Sequence, residues 1–275
     1  MRPGPGRWLV LGLIAEAASA AHTNNIMLTG YWPPTNNMIR RFSTNPAQNP
    51  QGWIGRNWEG RGYDIYAFFP EVQVGQQGTG DFEVDYQDTS SDWWRITAEI
   101  QPVAIITFSW TPGTPWYQYR DWELEARNRN RDSWTDDYSD PRQPDQVPPD
   151  PSLPANATRS STLPMQRIVD AMLAAPVMPW PYIDNSEACG GTFLSEYIGY
   201  HGLWYQSLHA DPNDPAWCVA AGHIHVSGQL SPTRAWNGTQ LTLRVLTDYL
   251  NEVIPEPSAL LLILTGGLLL RRRPV

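Results

Sequence analysis

The stretch "PVAIITFSW", residues 102 to 110, constrains this chain more than any other. A continuous β-branched and aromatic run of that length is the mark of a strand buried on both faces. Both faces then need cover, and helices alternating with strands along the chain supply it. The pattern repeats on either side. "NIMLTGYW" and "YDIYAFFPEV" read as strands, the first feeding a polar loop rich in Asn, Pro and Thr. "SSDWWRITAEI" carries helical spacing at Trp94, Ile96 and Ile100 behind a Ser-Ser-Asp start. Further on come an amphipathic helix in "LPMQRIVDAMLAA", a short strand in "PYIDNS" and a helix over residues 192 to 208. A strand in "WCVAAGHIHVSG" and a closing helix in "TQLTLRVLTDYLNEV" complete the series. The expected fold is a single three-layer α/β/α domain with a mostly parallel sheet. Residues 141 to 164, dense in Pro, Asp and Ser, read as a surface insertion with no core of its own.

The ends of the chain follow different rules. Residues 1 to 20 have an export layout: Arg2 and Arg7, then the apolar "WLVLGLIA", then small residues suited to cleavage after Ala20, with Glu16 unusual so near that point. At the other end, residues 255 to 275 join Pro-Glu-Pro, an apolar stretch from Ala259 to Leu270, and Arg271 to Arg273. At helical rise that apolar stretch reaches about 18 Å, against roughly 30 Å of bilayer hydrocarbon. A sorting signal therefore fits better than a permanent span. The body between them, residues 21 to 254, has the size of one domain and sets 14 arginines against 26 acids. Such a balance argues against nucleic acid or an anionic membrane as partner. The chain has no lysine, which excludes Walker-type phosphate binding, Schiff bases and Ser-Lys dyads. Cys189 and Cys218 are its two cysteines, and spacing alone does not say whether they pair. Fourteen tryptophans suit core filling and loop pinning, with sugar stacking as the other use of flat indoles.

Three segments carry residues suited to chemistry. Ser195 follows Gly190-Gly191 and falls in the first turn of a helix, where free N–H groups and the positive dipole end favour a developing anion. A capping or solvent-facing role is its plainer use. In "GHIHV", His223 and His225 point to one face of a strand, either as a metal pair or as a site holding one general base. His22, His201 and His209 offer no clear third ligand, so no metal or other cofactor is expected. In "WELEARNRNRD", Glu123 with Arg127 and Glu125 with Arg129 have the spacing of ion pairs on a solvated helix face. The functional use of that segment is a glutamate that orients a histidine.

Taken in order, these segments resemble the pyroglutamyl-peptidase I (pyrrolidone-carboxylate peptidase) family, cysteine peptidases that remove an N-terminal pyroglutamate. "LTGYWPPTNN" with the later "NPAQNP" resembles the family's first strand and its Gly-Phe-x-Pro-Phe loop. "LEARNRN" resembles Leu-Glu-Arg-x-Ala-x-Asn, "GGTFLSEYIGYHGLWY" resembles Ala-Gly-Thr-Tyr-Val-Cys-Asn, and "AGHIHV" resembles Gly-Phe-Ile-His-Val. The resemblance spans roughly residues 26 to 250. It implies Ser195 in the nucleophile's position, His225 as the histidine and Glu125 as the acid, with Tyr31, Trp32 and Asn130 toward the substrate. The tail likewise resembles the PEP-CTERM signal of bacterial exosortase systems, which implies that sorting machinery as a partner and a destination in the outer envelope or outside it.

The departures are specific. Serine stands where the family has cysteine, Glu196 replaces the following asparagine, and Pro34 replaces the loop's second aromatic. A hydroxyl is not stored as an anion, so His225 must take its proton during attack while Glu125 holds the imidazole. Glu196 beside the nucleophile is expected to set negative charge against an oxyanion site. Cys189 precedes the Gly-Gly turn and lies off the helix end. The expectation is an exported hydrolase acting on a peptide or small amide or ester, with N-terminal pyroglutamate the leading substrate. A catalytically inactive homologue that binds peptide termini or another cell-surface ligand is the alternative, and a Trp-rich glycan binder a weaker one. Assembly into oligomers is left open.

Overall fold

The computed structural model describes residues 22–112, 120–187 and 190–254. The expected export leader at 1–20, the expected sorting tail at 255–275 and Cys189 lie outside the described residues. In chain order the elements are β1 (Asn25–Thr29), α1 (Thr35–Ile39), β2 (Asp64–Phe68), α2 (Tyr86–Ile100), β3 (Ala104–Thr111), β4 (Trp122–Glu125), β5 (Arg127–Arg129) and β6 (Thr158–Ser160). They continue with α3 (Met165–Ala174), β7 (Pro181–Asp184), α4 (Leu194–Leu208), β8 (Ala220–Ser227) and α5 (Pro232–Val253).

Six strands form one sheet in the order β2-β1-β3-β8-β4-β7. The β1/β2, β1/β3, β3/β8 and β4/β7 pairings are parallel, and β4 runs antiparallel to β8. The sheet is mostly parallel, as β3 demanded: its first six residues are all buried. Alternation along the strands sorts them between two cores. Ile106 and Phe108 of β3 and Ile224 and Val226 of β8 pack with α1, α3 and α5. Met27, Ile105 and Ala221 face the other way, against Trp93 and Ile96 of α2 and Tyr197 and Ile198 of α4. Each such Ile, Val, Met or Phe side chain removed from water contributes about 1.5–3 kcal/mol. Trp58, Trp93 and Trp122 fill these cores, whereas Trp94 and Trp180 are exposed.

Several boundaries differ from expectation for local reasons. The N-cap of α2 is Asp85, which accepts from Gln87 N and Asp88 N, so the helix starts before the Ser-Ser-Asp triplet. Ser231 caps α5 and Pro232 opens it, which adds two turns ahead of "TQLTLRVLTDYLNEV". The segment read as a solvated helix face is two strands instead. Glu125 is fully buried on β4, and the charged spacing that imitates helical ion pairs lies along extended chain. The insertion at 141–164 is also tied down more firmly than its composition implies. Its β6 pairs with β5, Leu163 joins the core, and buried Asp150 accepts from Arg159 at 2.6 Å and from the Tyr200 hydroxyl at 2.9 Å.

Candidate active site

The site grows from one face of the β3–β8 pair. Register sets Thr107 opposite His223 and Ser109 opposite His225, all directed toward the α4 side of the sheet. On the other flank of β8, antiparallel β4 sets Glu123 opposite His225 and Glu125 opposite His223. Two imidazoles and two carboxyls therefore share one patch near the C-terminal ends of β3 and β8, where sites in α/β folds gather.

The two histidines are held in opposite states. His223 is fully buried, with Thr107 Oγ1 2.8 Å from Nδ1 and Ser109 Oγ 2.8 Å from Nε2. Burial pushes it down to about 3, so it is a neutral ring with both nitrogens engaged. His225 Nδ1 lies 2.5 Å from Glu125 Oε1. Burial alone would lower His225, but the Glu125 charge and contact outweigh it and raise the imidazole above its ordinary value. Burial likewise pushes Glu125 up, and the two histidines with Asn128 bring it below the usual carboxylate range. The pair is thus biased toward imidazolium and carboxylate. Glu125, His223 and His225 also bring their ligand atoms within 4.8 Å of one another. A cation there would have to displace Thr107 or Ser109 from His223 and Glu125 from His225.

Ser195 is the second residue of α4, a helix whose start no side chain caps. The N–H groups of its first turn therefore have no intrahelical acceptor. Gly190 and Gly191, at φ 83° and 70°, bend the preceding chain through the left-handed region that favours glycine. The Ser195 hydroxyl donates to the Gly190 carbonyl at 3.3 Å, and among the described residues no hydrogen bond joins it to His225. Both side chains line the same open cleft of about 440 Å³, together with Arg120, Glu123, Tyr182 and Asp184. Burial pushes Glu123 up to about 7.

Glu196 does not behave as expected. Its carboxyl turns away from the cleft and is fully buried, accepting from Arg129 N at 2.6 Å and from Asn128 Nδ2 at 2.7 Å. Burial, then the charge of Glu125, push it up to about 8, so it is mostly neutral at pH 7 and sets little charge against an oxyanion. Asn130 is likewise corrected. It is fully buried, donates to the carbonyls of Asp150 and Leu153 and accepts from Asp150 N, so it pins the insertion rather than touching substrate. Tyr31 and Trp32 do approach Ser195, in a small recess shared with Ser109, Trp110 and Phe193. The Tyr31 hydroxyl bonds Thr89 Oγ1 at 2.7 Å, and Trp32 Nε1 donates to Gln76 O at 2.9 Å. Cys218 is buried and has no disulfide partner among the described residues, and burial pushes its thiol far up.

Sequence reasoning read Glu123 as part of a helix-face ion pair and passed over Asn128 and the hydroxyls of Thr107 and Ser109. Alternation in "IITFS" carried a signal for the last two, because they share a face of the strand next to "HIH". Nothing local marked Asn128, whose partner Glu196 is 68 residues away.

No family model matches the chain, and no curated protein matches it. Solved structures do. Pyrrolidone carboxyl peptidase from Thermococcus litoralis is similar at 18% identity and TM-score 0.59, covering 85% of this chain and 99% of that one. A variant of pyrrolidone carboxyl peptidase from Pyrococcus furiosus is similar at 19% identity and TM-score 0.56, covering 82% and 99%. The fold is shared. The order of segments that resembled this family thus corresponds to a likeness in three dimensions along nearly the whole length of those enzymes.

Proposed function

We propose that this chain is a hydrolase that cleaves an amide or ester bond, with Ser195 as nucleophile, His225 as base and Glu125 as the residue that orients it. The observation that carries this reading is that Ser195 and His225 line one cleft while Glu125 grips His225 Nδ1 from behind. The shared fold supports the reaction class. In the first step the Ser195 hydroxyl turns from Gly190 O, attacks the substrate carbonyl and gives its proton to His225 Nε2. The resulting oxyanion faces the uncapped start of α4, whose N–H groups stabilise it. His225 then protonates the leaving amine or alcohol, and the acyl-enzyme is hydrolysed by water activated the same way. N-terminal pyroglutamate is the leading substrate, with Tyr31 and Trp32 toward its ring. The leader at 1–20 and the tail at 255–275 support export and sorting to the outer envelope.

Because the Glu125 charge raises the His225 imidazole above its ordinary value, the pH range over which kcat/KM climbs should be displaced upward from that of a free histidine. The deciding assay is release of a chromophore from pyroglutamyl and simple acyl substrates. Turnover that falls at least about a thousandfold in Ser195→Ala is the expected outcome. Turnover that survives the substitution would sink the assignment. One observation favours a second reading, a binding protein with an idle site: the Ser195 hydroxyl is spent on Gly190 O. Pyroglutamyl ligands that bind without turnover, together with activity gained in Ser195→Cys, would select it.

A further inference from the structure

The carboxylate that grips His225 shares its support with a second acid. Glu125 Oε2 and Glu196 Oε2 accept from the same amide, Asn128 Nδ2, at 2.6 and 2.7 Å. Glu125, Asn128 and Glu196 are all fully buried. Glu196 Oε1 takes Arg129 N at 2.6 Å and lies 3.4 Å from Arg131 Nε. Gly190 closes the enclosure from the loop side: a Cβ on it would come within 1.6 Å of Glu196 Oε2. The residue whose carbonyl holds the Ser195 hydroxyl thus also seals Glu196 in place.

Two like charges bridged by one neutral amide in a dry enclosure repel each other, so one of the two carboxyls keeps a proton. The surroundings decide which. Glu125, on β4, faces the imidazoles of His223 and His225 from β8 and is drawn to the anion. Glu196, on α4, is pushed up by burial and by Glu125 across Asn128 of β5; the Asn128 amide, Arg129 N and the Arg131 guanidinium oppose this without reversing it, and it holds the proton. Its charge, once formed, is felt at His225, where Glu123 acts in the same direction.

We propose that Asn128 and Glu196 are positioning residues for the Glu125–His225 pair. The Asn128 amide ties the two carboxyls together, and ionised Glu196 adds a second negative charge that holds the imidazolium on His225. The inference rests on His225 being the base, yet it is tested without turnover. The experiment follows the His225 imidazole resonances by NMR across pH in the full-length protein, assigned by comparison with His225→Gln. Wild type should titrate over a broadened, two-step range as Glu196 ionises alongside, and Glu196→Gln should collapse this to one step at lower pH. A single clean step in wild type, or an unmoved midpoint in Glu196→Gln, would overturn the proposal. If Glu196→Gln does not fold, the wild-type curve decides alone. Absence of hydrolysis beside an intact two-step curve would count against the reaction and not against this coupling.

Discussion

The two faces of the β3–β8 pair are built from the same strands and obey different physics. Toward α1, α3 and α5, Ile106, Phe108, Ile224 and Val226 form a dry face whose stability comes from area removed from water. Toward α4, Thr107, Ser109, His223 and His225 form a polar face that is nearly as buried, where every donor and acceptor needs a partner. A strand that alternates between apolar and hydrogen-bonding residues thus carries a core on one side and an acid–base site on the other. The difference teaches that the site's electrostatics are set by neighbours within the protein rather than by water. Three carboxyls and two imidazoles share one patch, and each is shifted first by burial and then by the charges and donors beside it.

Breaking the polar face should change chemistry far more than stability. Glu125→Gln removes the partner of His225 Nδ1, and the expected loss of kcat is on the order of 10³–10⁴. The pH limb should also move toward lower pH in that variant, because the charge that raises His225 is gone. A steady-state pH profile reads both. Breaking the dry face should do the reverse. Phe108→Ala opens a cavity beside Trp122 and should cost about 3–5 kcal/mol in denaturant unfolding, with the pH profile of the surviving enzyme unchanged.

The third test sharpens the contrast through pH alone. Folded Glu196 keeps a proton up to about pH 8 that the unfolded chain loses near its ordinary 4.5. The folded state then binds more protons between these values. Its contribution is complete below the unfolded value and is lost as pH rises toward 8, at up to about 1.4 kcal/mol per pH unit. Unfolding midpoints measured from pH 5 to 9 should fall between about pH 5 and 8 in wild type, level off above that, and fall less in Glu196→Gln. Equal slopes would mean that Glu196 is charged in the fold.

The sequence carried the dry face well and the polar face in part. "PVAIITFSW" announced a doubly buried strand, and strand–helix alternation led to the layered sheet. "GHIHV" showed its two histidines on one face, although the resemblance, not spacing, singled out His225. What stayed hidden is what depends on distant pairing. Glu123 and Glu125 carry the spacing of helix ion pairs, and only pairing with β8 turns that segment into a strand with Glu125 inside. Glu196 was expected to oppose an oxyanion because its partners, Asn128 and Arg129 N, belong to a strand that its neighbours in sequence do not reveal. Asn130 followed the family's motif but is consumed by the insertion, whose own course sequence did not define.

The central claim is that Ser195 is a nucleophile activated by His225. Covalent trapping with a serine-directed phosphonate, read by peptide mass mapping across pH, tests it most directly. The account predicts a single adduct on Ser195 that forms faster as pH rises and is lost in His225→Ala. No adduct on Ser195, or one that forms as readily without His225, would contradict it.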